Sequence, residues 1–287
     1  MITENTGCLK YRKLSFGMSR EVTRHYSTSF YSATQLFPPT VRGAIHGIYG
    51  FVRLADEIVD SFHGQDQQAL LDRFEADYDF AQEQGVSTNP VIHAFLITVN
   101  RYHIDDAYIR AFLASMRADL EKKVYTTRLE AEQYIYGSAD VVGLMCLRVF
   151  CDGDERLFGE LVTPAMRLGS AFQKVNFLRD LRQDVMELGR VYFPGFSMEQ
   201  FDETTKQELV RDIEVDFAEA LKGIRRLPDS SRLAVHTAYR YYMRLLDKIR
   251  NTPAGELVTR RIRVPNAEKF RLLSGAVIKY KLHMEIV

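Results

Sequence analysis

A helical hydrophobic period that hardly lets up is what most constrains how this chain folds. In GAIHGIYGFVRLADEIV the large apolar residues Ile45, Ile48, Tyr49, Val52, Leu54, Ile58 and Val59 recur at three- and four-residue steps. That interval lines one face of an α-helix. Similar patterns predict helices over 19–34, 66–84, 90–100, 105–124, 130–150, 164–188, 204–226, 230–250 and 266–285. Residues 1–16 are expected to be a loosely ordered N-terminal segment. Thr163-Pro164 reads as an N-cap followed by proline at the first helical position, and Gly189 stands where a helix C-cap belongs. Pro38-Pro39, Asn89-Pro90, Pro228-Asp229 and Thr252-Pro253 punctuate other boundaries. Neither alternating strands, nor a repeat of 20–50 residues, nor a low-complexity linker is found. One all-α domain spanning 1–287 is therefore expected.

Composition narrows the function. Lys and Arg total 38 and Asp and Glu also 38, so the formal net charge is zero and lacks the basic surplus of a nucleic-acid binder. At 46% hydrophobic residues the chain has ample material for a large core. Cys8, Cys146 and Cys151 show no metal-ligand spacing, which suits inert thiols in a reducing compartment. The opening MITENTGCLKYRK is not a signal peptide, and no apolar run approaches the roughly 18–20 residues of a membrane span. A cytoplasmic protein is expected.

Charge is concentrated at two places inside otherwise apolar helices. Asp56 and Asp60 lie one helical turn apart, with Arg53 on the same side. FQKVNFLRDLRQDV repeats that spacing with Asp180 and Asp184, and Gln173 and Asn176 extend the polar stripe between Phe172, Val175, Phe177 and Leu178. A single D-x-x-x-D is most simply an exposed helix face with ordinary ion pairs. Two pairs turned into one apolar cavity would repel each other unless cations intervene. Hard divalent ions favour such oxygen donors, and Mg²⁺ takes one or two carboxylates together with phosphate and water. A diphosphate held through magnesium is the reading. A di-iron bundle expects Glu-x-x-His on two helices, which this sequence lacks.

With these segments in place the chain resembles the squalene/phytoene synthase family, the head-to-head prenyl transferases. The resemblance runs over about 17–285: YSTSF at 26–30, YGFVRLADEIVD at 49–60, YGSADVVG at 136–143, FQKVNFLRDLRQD at 172–184 and GRVYFP at 189–194. Asp140, in the middle of the third segment, departs from the small or apolar residue expected there. The resemblance implies an isoprenoid-synthase-type helical bundle around a central cavity, magnesium, and two prenyl diphosphate substrates. It implies Asp56, Asp60, Asp180 and Asp184 as metal ligands, with Tyr49 and Tyr136 near the reacting carbons. Substrate contacts are implied for Tyr26, Ser27, Ser29, Phe30, Arg53, Gln173, Asn176, Arg179, Tyr242 and Arg261. Simpler alternatives stand beside these: an intrahelical pair for Arg53 with Asp56 or Glu57, core packing for the tyrosines, a helix cap for a serine. Either arginine of Arg260-Arg261 is able to face inward.

The implied reaction ionises an allylic diphosphate, forms a cyclopropyl diphosphate, and rearranges to a 1–1′ coupled hydrocarbon. The chain ends at KYKLHMEIV without the membrane anchor of eukaryotic squalene-forming relatives, and no dinucleotide fingerprint is present. Proton loss without a reductant is the simpler outcome. Thr34, one turn beyond Phe30, is small for a residue facing the cavity floor, which favours two geranylgeranyl chains and phytoene. The alternatives are dehydrosqualene, presqualene diphosphate or squalene from farnesyl diphosphate, and an inactive relative serving as an assembly factor. Peripheral contact with a membrane is expected for release of the insoluble product.

Overall fold

Short polar side chains decide where most of these helices begin. The computed structural model describes residues 6–195, 201–265, 267–269, 271–272 and 274–275. Its helices are α1 (Thr6–Tyr26), α2 (Thr28–Thr34), α3 (Pro39–Ser61), α4 (Gln67–Gln84), α5 (Pro90–Tyr102), α6 (Asp106–Glu121) and α7 (Arg128–Ile135). A π-helical turn, Tyr136–Asp140, joins α7 to α8 (Val141–Cys151). Then come α9 (Glu155–Arg179), α10 (Leu181–Met186), α11 (Glu203–Ile224), α12 (Asp229–Arg250) and α13 (Ala254–Leu257). Asp66, Asn89, Asp105, Asp154 and Asp202 each accept a hydrogen bond from the first turn of the helix they precede. Thr127 and Glu130 form a reciprocal capping box on α7. Among the described residues the only β pairing is an isolated parallel bridge, Val124 with Val191.

Five sequence expectations need correction. Of the N-terminal segment expected to be loose, residues 6–16 are helical, because α1 starts at Thr6, and residues 1–5 lie outside the described residues. Helix α1 packs through Ser15, Ser19 and Thr23, all fully buried, against α3 and α5. Its buried stripe is small and polar, so it carries no hydrophobic period to read. The helix expected over 19–34 is two helices, because the Ser27 side chain leaves the helical path to accept from Phe30 N at 3.3 Å. Pro164 does not open a helix; it lies inside α9, which Asp154 starts. Its ring removes one backbone hydrogen bond and is seated against Gly223, where an added Cβ would fall 2.3 Å from the Pro164 Cβ. The single helix expected over 164–188 is interrupted at Asp180, whose φ of −102° and ψ of 10° end α9 and begin α10. Finally, the 24-residue stretch Arg128–Cys151 does have the length and composition of a bilayer span. Its Val141, Leu144, Met145, Leu147 and Val149 are buried in the core instead. Of the helix expected over 266–285, residues 267–269, 271–272 and 274–275 are helical, and the remainder lies outside the described residues.

The core has an aromatic centre. Phe51, fully buried on α3, stacks on Phe95 at 4.0 Å between ring centroids and meets Phe74 at 4.9 Å. Around this centre α3 packs on α1, α5, α6 and α8, while α9 packs on α8 and α11. The arrangement places α3 and α9, the bearers of the two acid pairs, on two sides of one internal space.

Candidate active site

The first acid pair sits on an unbroken helix. Arg53 of α3 hydrogen-bonds both Asp56 and Glu57 on its own helix, and its guanidinium lies 4.4 Å from the centre of the Tyr26 ring. The intrahelical alternative for Arg53 is thus the pairing the structure shows. Asp56 lies in a recess that still leaves 32% of its side chain open. Loss of solvent, and then the neighbouring charge of Asp60, push its carboxyl up to about 7. Asp60 accepts a hydrogen bond of 2.6 Å from Arg190 Nη1, a residue 130 positions away.

The second pair straddles the break between α9 and α10. The Asp180 backbone N–H still bonds Asn176 O at 2.8 Å, and that of Asp184 bonds Asp180 O at 2.9 Å. The two acids thus remain one turn apart although the helix axis changes. Asp180 is gripped by its neighbour Arg179 and by Arg261, whose Nε lies 2.6 Å from Oδ1. Arg260 pairs with Glu256 instead, so Arg261 is the inward member of the dipeptide. Asp184 is pushed up to about 8, by burial first, then by Asp180, with Asp60 contributing from the other pair.

The pairs face each other across Arg190. Gly189 adopts φ +67°, a left-handed turn natural to glycine, and directs the Arg190 backbone N–H onto Asp184 O at 2.7 Å. The side chain, only 7% exposed, then reaches Asp60 and the backbone carbonyls of Val59 and Asp119. Pairing of Val191 N with Lys123 O and of Tyr125 N with Val191 O ties this segment to the end of α6.

Beside the acid pairs an apolar cavity of about 350 Å³ lies within the bundle; none of the four acids lines it, but Tyr49 and Val52 on α3 and Gln173 and Asn176 on α9 do. Ser27, Ser29, Phe30 and Thr34 line it from the α2 side, and Ile45, Tyr49 and Val52 from α3. Gln173 and Asn176 of α9 and Tyr242 of α12 close its polar end, and Leu161, Pro164, Gly223 and Ile224 form part of its apolar wall. Phe30 stacks on Tyr49 at 4.9 Å and Phe172 on Tyr242 at 3.9 Å. Tyr242 Oη donates to Asn176 Oδ1 at 3.3 Å. Burial pushes Tyr49 up to about 12, and Arg53, Tyr242 and Asp56 all act on it. The tyrosine therefore stands between cavity and acids. Ser27 both caps α2 and faces the cavity, and Thr34, as expected, lines it.

Tyr136 is not where the sequence reading put it. It is 37% exposed and does not line the cavity. Tyr134 is the buried ring, and its Oη donates to Asp119 Oδ2 at 2.7 Å. Asp140, the departure within the same segment, is buried and accepts from Ser170 Oγ at 2.8 Å. Ser138 and Ala139 are the residues of this turn that face the cavity. Asp119, Tyr134 and Arg190 are the members of the site that sequence reasoning missed. GRVYFP carried a signal for Arg190; Asp119, in SMRADLEKK, reads as an ordinary surface acid.

The donors suit magnesium. All are carboxylate oxygens, and burial first, then neighbouring acids, push Asp56 and Asp184 toward protonation, a cost that a bound cation would offset. Among the described residues no three acid, histidine or cysteine side chains converge to enclose an ion by themselves. An ion completed by phosphate oxygens and water does not need them to.

Comparison with known proteins follows the same line. A family model described as squalene/phytoene synthase matches residues 23–268. Phytoene synthase 3 (chloroplastic) of Zea mays is 32% identical, over 93% of this chain and 66% of its own length, so the chain spans just under two thirds of that relative. The 15-cis-phytoene synthase of Synechocystis sp. is 31% identical over 92% of this chain and 85% of its own. A crystal structure of a dehydrosqualene synthase in complex with ligand superposes with a TM-score of 0.81 at 24% identity, covering 96% of this chain and 99% of that one. The helical fold is therefore shared with that enzyme.

Proposed function

The chain belongs to the squalene/phytoene synthase family, a family of prenyltransferases, and on that premise we propose that it couples two geranylgeranyl diphosphates head to head to phytoene. The observation that carries this reading is the two acid pairs linked through Arg190, with residues one to two turns from them, Tyr49, Val52, Gln173 and Asn176, lining an apolar cavity. Relatives named phytoene synthase, 29–32% identical over 92–94% of this chain, support the C20 substrate, as does the small Thr34 on the cavity wall.

Asp56, Asp60, Asp180 and Asp184 would hold magnesium, which when bound supplies positive charge to the diphosphate leaving group. The chain's own residues do the rest. Arg53 pairs with Asp56, and Arg179 and Arg261 with Asp180; all three are placed to turn their planar forks to phosphate once those acids are otherwise compensated. Gln173 and Asn176 orient the polar end of the substrate. Phe30, Tyr49, Phe172 and Tyr242 present aromatic faces that stabilise a passing cation and exclude the water that would quench it. Delivery of the apolar product to a bilayer surface belongs to the same proposal.

Purified protein supplied with Mg²⁺ and geranylgeranyl or farnesyl diphosphate, followed by mass spectrometry of the hydrocarbon, tests it. A C40 triene-chromophore product from the C20 substrate is expected. A C30 product alone would move the chain to dehydrosqualene or squalene formation, and no product from either would favour a non-catalytic assembly role.

A further inference from the structure

Behind the opposed acid pairs lies a fifth carboxylate. Asp119, on α6, is 6% exposed and so almost wholly enclosed. One oxygen, Oδ2, accepts from Tyr134 Oη at 2.7 Å. The other, Oδ1, is buried without a hydrogen-bond partner. A buried acceptor left without a donor is costly, and more so when it is a carboxylate. The surroundings explain where the donor belongs. Arg190 spends Nη1 on Asp60 and directs Nη2 at the backbone carbonyls of Val59 and Asp119, so its charge acts on the Asp119 carboxylate without hydrogen-bonding Oδ1. The charges that act on that carboxylate are Arg190, Asp60 and Asp56, which places it on the inner side of the acid cluster. Tyr134 is locked in turn by stacking on Tyr192 at 5.0 Å, and Tyr192 on Phe177 at 4.1 Å. A carboxylate so fixed, with Oδ2 bonded to Tyr134 and Oδ1 enclosed without a donor, has acceptor capacity left to fill.

We propose that Asp119 is a positioning residue of the magnesium site, its Oδ1 accepting a hydrogen bond from water held by the ion that Asp56 and Asp60 ligate. The proposal rests on the magnesium–diphosphate reading above. Magnesium retains several waters, and carboxylates outside the ligand set orient them. Tyr134 holds the carboxylate's orientation, and Arg190 sets its distance from Asp60.

The test is direct Mn²⁺ binding to the whole chain in the presence of inorganic pyrophosphate, by calorimetry and by proton relaxation of metal-held water. Asp119→Asn is expected to weaken Mn²⁺ binding by about 10–100-fold and to change the relaxation of bound water, while the circular-dichroism melt of the metal-free protein stays in place. Tyr134→Phe should weaken binding less and in the same direction; it carries the test if Asp119→Asn does not fold. Wild-type affinity and wild-type relaxation in a folded variant would overturn the proposal, whatever its turnover. If the wild-type chain itself bound no Mn²⁺ with pyrophosphate, the magnesium reading would fall first. Binding by the wild type, with loss on Asp56→Asn but none on Asp119→Asn, would overturn the role of Asp119 alone.

Discussion

Asp56–Asp60 and Asp180–Asp184 have the same spacing in sequence and different supports in space. The first pair rides a continuous 23-residue helix whose opposite face carries the aromatic core. The second is draped over a helix end, with Asp180 as the joint between α9 and α10. On α3 the partner of Asp56 is local, one turn away, while that of Asp60 comes from the far side of the site. On α9 and α10, Asp180 is held by Arg179 and the distant Arg261, while the backbone carbonyl of Asp184 accepts from Arg190 N. A rigid pair opposite a jointed pair allows one set of donors to stay fixed while the other adapts. Arg190 binds to both, by its side chain on one and its backbone on the other.

The comparison breaks most sharply at the acids. Asp56→Asn and Asp180→Asn should each lower turnover at least about 10²–10³-fold, the scale of losing one preorganised electrostatic contact, with the thermal melt unchanged. Steady-state kinetics on both variants checks it; a loss confined to one pair would show that the two are not equivalent metal supports.

Arg190→Ala tests the link between the pairs. Removing a nearly buried partner leaves Asp60 facing Asp119 and Asp56 without compensation. We expect a stability loss of about 3 kcal/mol, toward the low end for breaking a buried ion pair because Asp60 is partly open. Urea unfolding measures it, and a change below about 1 kcal/mol would reduce Arg190 to a surface contact.

The smallest effect concerns protons. Asp56 and Asp184 lie above the ordinary carboxylate range, at about 7 and about 8. The folded metal-free chain then binds more protons than the unfolded one between roughly pH 4 and pH 8. Their contribution to its stability is therefore complete below about pH 4 and lost as pH rises through the two values. Adding Mg²⁺ and pyrophosphate should release protons near pH 6.5 and almost none by pH 9, read from the buffer dependence of the calorimetric heat. Asp184→Asn should remove the upper part of this window and Asp56→Asn the lower. Identical effects of the two would show that the two pairs share one proton-binding behaviour.

Most of the helices were legible because amphipathic periodicity survives any change of neighbours. The acid pairs were legible for a related reason: charge inside an apolar stripe demands compensation wherever the stripe is buried. What escaped has equally physical causes. The buried face of α1 is made of serines and a threonine, which leave no apolar trace. The break at Ser27 needs only one hydroxyl turned back onto Phe30 N. Tyr134 and Tyr136 look alike in sequence. The resemblance of YGSADVVG implied Tyr136, whereas the extra residue in the π-helical turn slides the helix phase by about 100° and it is Tyr134 that is buried. Asp119 becomes part of the site only because Tyr134 and Arg190 arrive from separate segments.

By itself the sequence determined the all-α class, the two paired acids, and the apolar lining that a lipid-like substrate needs. These follow from local patterns whose energetic meaning does not depend on partners. Tertiary structure alone decided which arginine of Arg260-Arg261 turns inward, which tyrosine is buried, and that a lone aspartate on α6 joins the paired acids through Arg190. Such choices are made by contacts between residues up to 130 positions apart, and no local pattern carries information about a neighbour that distant.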